Sequence, residues 1–121
     1  MVFIRTIEDI KGTKRDVRWL HGYSRRLLVK EDGQPFSFNV STAKKSEFDI
    51  CYPDHDEINF VLEGSCIFTI DGKEHQGKPG TLFILEKGKK MNMKILEDVK
   101  MICIFNPPLE DTEVPADIDG H

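Results

Sequence analysis

Side chains capable of acid–base or metal chemistry crowd into one short segment of this chain: Cys51, Tyr52, His55 and Glu57. Glu57 stands in mid-strand of what reads as an apolar barrel. A carboxyl buried in such a strand loses hydration, which raises its pKa and suits it to trade protons near neutrality. The same carboxylate has two other readings, as a lone ligand to a divalent cation or as a structural group paired with an inward Arg or Lys. His55 lies two residues before it, on the same face if the segment is extended. It reads equally as a site residue or as a rim imidazole hydrogen-bonded to backbone. Cys51, His55 and Glu57 are all odd-numbered, so an extended strand would point them the same way as a three-donor set. Bringing three ligands from one short strand to within ~2.0–2.3 Å of one ion is a demanding geometry. Met91 and Met93 read as core or as the apolar lining of a pocket, and His21 and His75 as surface residues.

The elements that position these residues are short strands. Residues 1–9 read as a strand leading into a turn, and 11–16 as a polar connector. Residues 24–30, 36–42 and 48–52 are rich in β-branched and aromatic side chains and are separated by turn clusters such as Glu31-Asp32-Gly33. Phe36 and Phe38 alternate with Ser37 and Asn39 as a half-buried strand does. Residues 57–70 read as two strands broken at Glu63-Gly64, and Asp71-Gly72 is a hairpin turn whose central positions both need positive φ. Residues 81–86 form another strand, and 91–96 pairs with 100–105 across Glu97-Asp98. Short strands at this spacing specify an all-β sandwich or barrel with no competing helical period. One domain is expected over 1–121: a barrel over 1–106, and 107–121 as an extended, proline-punctuated acidic tail able to fold over the barrel mouth.

With 121 residues, 39% of them apolar and 31% charged, the chain can bury a core without disulfides. Cys51, Cys66 and Cys103 are odd in number and lack C-x-x-C spacing, which points to a reducing compartment and a cytoplasmic location. No apolar run approaches the length that spans a bilayer, so no membrane partner is expected. The net charge of −4 argues against a nucleic-acid partner, and Lys87, Lys89 and Lys90 read as a solvated turn.

Glu57 with Gly64, then Gly80 with Glu86, Gly88 and Met91, resemble the two motifs of the cupin superfamily, a jelly-roll barrel that usually holds a metal through His and Glu. Cys51, Pro53 and Met91 stand where the histidines would be. A closer resemblance runs from about residue 3 to residue 114. It is carried by Arg5-Thr6, Gly12-Thr13, Arg15-Asp16-Val17, Ser24-Arg25-Arg26-Leu27-Leu28, Phe36-Ser37-Phe38, His55-Asp56-Glu57, Leu62-Glu63-Gly64, Lys78-Pro79-Gly80-Thr81-Leu82 and Cys103-Ile104-Phe105-Asn106-Pro107-Pro108-Leu109. On these residues the chain resembles the ectoine synthase family.

The resemblance implies a cupin-type jelly roll, a homodimer, and a hydro-lyase that cyclises N-acetyl-L-2,4-diaminobutyrate to ectoine with loss of water, in osmolyte biosynthesis. It implies iron held by a Glu, a Tyr and a His, whose positions here are Glu57, Phe83 and Met91. With two of the three unable to bind it, iron is expected to be absent or weakly held. Glu57 and His55 are the expected catalytic residues. Tyr52, Arg26, Ser41, Gly64, Phe83, Met91, Phe105 and Glu113 are the expected contacts to an amino-acid derivative. Gly22 and Pro115 stand where the family has a Trp and a His, and no shift bringing Trp19 into that gap is expected. The alternative reading is a metal-free barrel that binds a small metabolite without catalysis.

Overall fold

The computed structural model describes residues 3–110. Its eight strands, in chain order, are β1 (Asp16–Trp19), β2 (Gly22–Leu28), β3 (Ser37–Ala43), β4 (Ser46–Cys51), β5 (Asp56–Ile70), β6 (Lys73–Gly77), β7 (Leu82–Leu85) and β8 (Lys90–Asn106), and every pairing is antiparallel. The expected all-β jelly roll is the fold found. Its organisation rests on the two long strands, β5 and β8, each of which serves two sheets. Their ends meet as β1-β2-β3-β8-β5-β7, through the second half of β8 and the first half of β5. The remaining halves pair with β4 and β6 to make the opposite wall, β4-β8-β5-β6.

The two breaks expected at Glu63-Gly64 and Glu97-Asp98 are therefore corners rather than ends. β5 runs unbroken from 56 to 70 and β8 from 90 to 106, and 91–96 pairs not with 100–105 but with β4 and β5. Register shifts concentrate between Val61 and Cys66, where the two strands bend together from one wall into the other. Gly64 has φ +86 and packs so closely on the Asp98 carbonyl that a Cβ would collide with it. Turn residues were read as stops because a barrel corner and a chain reversal use the same residue types. The Asp71-Gly72 hairpin is as expected, with φ of 52 and 77.

The opening segment departs from expectation. Within residues 3–9 there is no strand; a short helix, α1 (Ile7–Ile10), begins under a capping box in which Thr6 Oγ1 accepts from Asp9 N–H and Asp9 accepts from Thr6 N–H. The segment is tied to the barrel through Asp32. That carboxylate takes Arg15 at 2.8 Å, Arg5 at 3.1 Å and the Val29 N–H at 3.0 Å. Burial alone would raise its pKa, but these partners outweigh it and hold Asp32 at about 2.

Along β3 the alternation is as read, but its sense is inverted. Ser37 and Asn39 face inward and are buried, while Phe36 is 40% exposed and Phe38 is half-buried. The outer surface of this wall is in fact apolar in two consecutive cross-strand rows, Phe38-Ile104-Ile58-Ile84 and Val40-Ile102-Phe60-Leu82.

Candidate functional site

Hydrogen-bonded register places directly opposite residues on one face of a sheet, so the inner wall can be read row by row. One row runs Ser37-Phe105-Glu57-Leu85, the next Arg26-Asn39-Cys103-Asn59-Phe83, and the third Ser24-Ser41-Met101-Val61. This wall is polar, although it is interior. The facing wall presents Phe48, Ile50, Met91, Met93 and Ile95. Between them lies a cavity of about 80 Å³, several times what one water molecule needs. Met91 and Met93 are both core and lining.

Glu57 projects into this space from the first half of β5, 5% exposed. Burial pushes its carboxyl up to about 7, against a smaller opposing pull from Asn59 on the same face. No cation forms an ion pair with it among the described residues, and Glu57 Oε1 and Asn59 Nδ2 both lack a hydrogen-bond partner there. The structural reading of Glu57, as half of a buried salt bridge, has no partner to rest on among those residues. Burial also raises the thiol pKa of Cys103, reinforced by the charge of Glu57 nearby.

Arg26, 2% exposed, brings a guanidinium to the same cavity, its Nη1 donating to the Glu110 carbonyl at 2.8 Å. Ser41, Tyr52 and Phe105 also line the cavity, with Tyr52 edge-on to Phe105 at 4.7 Å. His55 is not on the strand. It sits in the β4–β5 loop, buried edge-on against Tyr52 and Phe105, with Nδ1 donating to the Pro107 carbonyl at 2.7 Å. The imidazole backs the aromatic end of the cavity, outside the lining.

The Asn106-Pro107-Pro108-Leu109 run thereby acquires a physical role. Beyond the Pro107 carbonyl, Leu109 is fully buried, its N–H donates to Ser37 Oγ at 2.9 Å, and its carbonyl accepts from Lys30 N–H at 2.8 Å. Residues 107–110 thus close over the polar wall, held by these bonds and by the Arg26 contact to the Glu110 carbonyl. The rest of the expected tail, with Glu113 and Pro115, lies outside the described residues.

Other expected residues are distributed differently. Phe83 does not line the cavity; it stacks on Phe68 at 4.1 Å between the two walls. Gly64 is at the corner described above. Trp19, which was not expected to reach the site, does line the cavity and packs edge-on to Phe48 at 5.2 Å. The tight β1–β2 turn pairs Trp19 with Gly22, so the indole and the glycine occupy one cross-strand position. That pairing was hidden because a register is not visible in sequence spacing. His21, read as surface, is half-buried and stacks on Phe48 at 4.9 Å. Asn39 was missed because its alternation with Phe36 and Phe38 looks like the solvent side of a strand; Asn59, two residues beyond Glu57 on the same strand, carried the period-2 signal that could have found it.

The donor set does not fit a transition metal. Among the described residues no three His, Cys, Asp or Glu side chains gather into a group that could hold an ion, and Cys51, His55 and Glu57 do not converge. The cavity around Glu57 offers amides from Asn39 and Asn59, the Phe105 ring and the Met91 and Met93 thioethers, poor ligands for a hard or borderline cation.

A small antiparallel barrel with a half-polar interior cavity, entered by one acid and one buried arginine, defines a cupin-type small-molecule protein. The family model described as ectoine synthase matches residues 1–121. L-ectoine synthase of Saccharophagus degradans is 35% identical over 116 residues, 93% of this chain and 88% of that protein. L-ectoine synthase of Teredinibacter turnerae is 39% identical over 118 residues, 93% and 89% of the two chains. The crystal structure of ectoine synthase from P. lautus superposes with a TM-score of 0.85 at 31% identity, covering 91% of this chain and 81% of that one. The chain belongs to the ectoine synthase family, a family of metal-dependent cupins.

Proposed function

We propose that this chain catalyses the ring closure of N-acetyl-L-2,4-diaminobutyrate to ectoine, with Glu57 as the proton-transfer group. The observation that carries this reading is the buried Glu57 carboxyl, with an unpartnered oxygen, in a cavity shared with Arg26. Family membership supplies the reaction. Arg26 is suited to the substrate carboxylate, Tyr52 and Phe105 to its methylene chain and acetyl group, and His55 acts through those two rings as a positioning residue.

The free amine nitrogen attacks the acetyl carbon, a C–N bond forms, and the carbonyl oxygen becomes a hydroxyl. In that step Glu57 gives a proton to oxygen and receives one from nitrogen. A second exchange of the same kind breaks the C–O bond and releases water, leaving the cyclic amidine and restoring Glu57. A carboxyl with a pKa about 7 is suited to both directions of transfer. Iron, which the family resemblance implies, has one matching side chain here, Glu57, and is proposed to be at most weakly held.

The chain is further proposed to work as a cytoplasmic homodimer. Three free cysteines suit a reducing compartment, and the apolar outer rows of the polar wall suit burial against a second copy. The test is conversion of N-acetyl-L-2,4-diaminobutyrate by purified protein, followed by NMR with and without added Fe(II). Turnover is expected in both and is expected to fall by at least a hundredfold in Glu57→Gln. Rates equal to buffer in both conditions would sink the proposal.

A further inference from the structure

Buried polar atoms without partners are uncommon, and each requires an explanation. Among the described residues Asn39 Oδ1, Glu57 Oε1 and Asn59 Nδ2 are such atoms on the polar wall, and only the last is a donor by nature. Asn59 follows Glu57 by two residues on β5, is 2% exposed, and lines the same cavity. Its neighbours across the sheet are Cys103 on β8 and Phe83 on β7. A phenyl ring accepts nothing in the plane of the sheet, and a thiol is a weak acceptor. The amide proton therefore has no hydrogen-bond partner among the described residues and faces the cavity and the Glu57 carboxyl, on which it exerts a weaker pull than burial does. In the middle of a strand in a barrel interior a valine or isoleucine would be the stable choice, so an orphan amide there is a cost that a ligand would relieve.

We propose that Asn59 is a catalytic residue: its Nδ2–H donates to the acetyl carbonyl oxygen of the substrate and holds the negative charge that develops there as the amine nitrogen attacks. This rests on the ring-closing reading above. Residues two apart on one strand have Cα atoms about 6.5 Å apart on the same face, so a single carbonyl oxygen can touch both Asn59 and Glu57. The roles then divide. The amide stabilises the oxygen without giving up its proton, while Glu57 moves the protons. A preset donor at an incipient oxyanion is worth roughly 10²–10³ in kcat.

The isosteric pair Asn59→Val and Asn59→Thr isolates the hydrogen bond, since both have similar volume and only Thr keeps a donor. In the Val variant kcat is expected to fall about 10²–10³-fold with little change in KM, while its Tm stays level or rises because an unpaired amide is removed. The Thr variant is expected to turn over at least tenfold faster than Val. A Val variant as fast as wild type, or Thr and Val equally slow, overturns the role of Asn59 and leaves ring closure by this chain standing. A Val variant whose loss of rate accompanies a lowered Tm assigns Asn59 to the fold and overturns it too. A wild type with no turnover removes the ring-closing reading itself, and this inference with it.

Discussion

His55 Nδ1 donates to the carbonyl oxygen of Pro107 across 52 positions of sequence at 2.7 Å, joining the loop that precedes Glu57 to the segment that closes the polar wall. The bond fixes the imidazole edge-on to Tyr52 and Phe105. His55→Ala is expected to destabilise the fold by about 1–2 kcal/mol and to raise KM more than it lowers kcat. Urea unfolding alongside steady-state kinetics checks both, and an unchanged KM would argue that the aromatic end needs no such support.

The pH dependence of stability follows from Glu57. Its folded pKa of about 7 lies above that of an unfolded carboxyl, so between roughly pH 4.5 and 7 the unfolded chain loses this proton first. Stability from this group is full below pH 4.5 and is lost as pH rises to 7. Glu57→Gln should therefore match wild type in Tm near pH 4.5 and exceed it at pH 8, by an amount equivalent to a few kcal/mol, on the order set by 1.36 kcal/mol per pKa unit. Parallel melts from pH 4.5 to 8.5 would show it, and a constant offset between the two proteins would contradict the burial of a proton-holding carboxyl.

The corner in β5 makes Gly64 sensitive to substitution. Gly64→Ala would need a left-handed conformation and would drive a methyl into the Asp98 carbonyl. A loss of at least about 2 kcal/mol is expected, from the conformational penalty plus the collision. Gly72, at a hairpin with open space around it, is the control: Gly72→Ala at φ +77 has the conformational penalty alone. Equal losses in the two variants would remove the corner from the argument.

On the outer apolar rows, Ile84 and Leu82 are 52% and 59% exposed. A charge there would be buried unpaired if two copies meet on this face, so Ile84→Asp is expected to convert a dimer to a monomer in light-scattering chromatography. A dimer that survives Ile84→Asp and Leu82→Asp together would place the contact elsewhere.

Metal affinity can be restored in steps. Phe83 is held in a stack with Phe68 whereas Met91 lines the cavity. Met91→His alone should raise Zn(II) affinity by giving Glu57 a nitrogen neighbour, and Phe83→Tyr alone should change little. Calorimetric titration with Zn(II) separates the two, and a gain from Phe83→Tyr without Met91→His would contradict the placement of that ring.

Strand-rich composition, turn residues and the Asp71-Gly72 signal determined an antiparallel barrel, because period-2 patterning and positive-φ turns are local properties. The resemblance to the ectoine synthase family implied that Glu57 would stand without the family's other two ligands, since Phe83 and Met91 occupy those positions in the chain itself. Which face of each strand is inside was a different matter. The Ser37-Phe38-Asn39-Val40 alternation is the same pattern whether phenylalanine or asparagine points inward, and the choice fell to the cavity on one side and an apolar outer face on the other. Corners were read as strand ends for a related reason: Gly64 permits either, and only pairing across 30 or more residues, with β8 beside β5, decides. Trp19 entered the site by register, the relation between strands that hydrogen bonding sets and linear spacing does not contain, whereas Asn59 shares the face of Glu57 by the period of two within one strand.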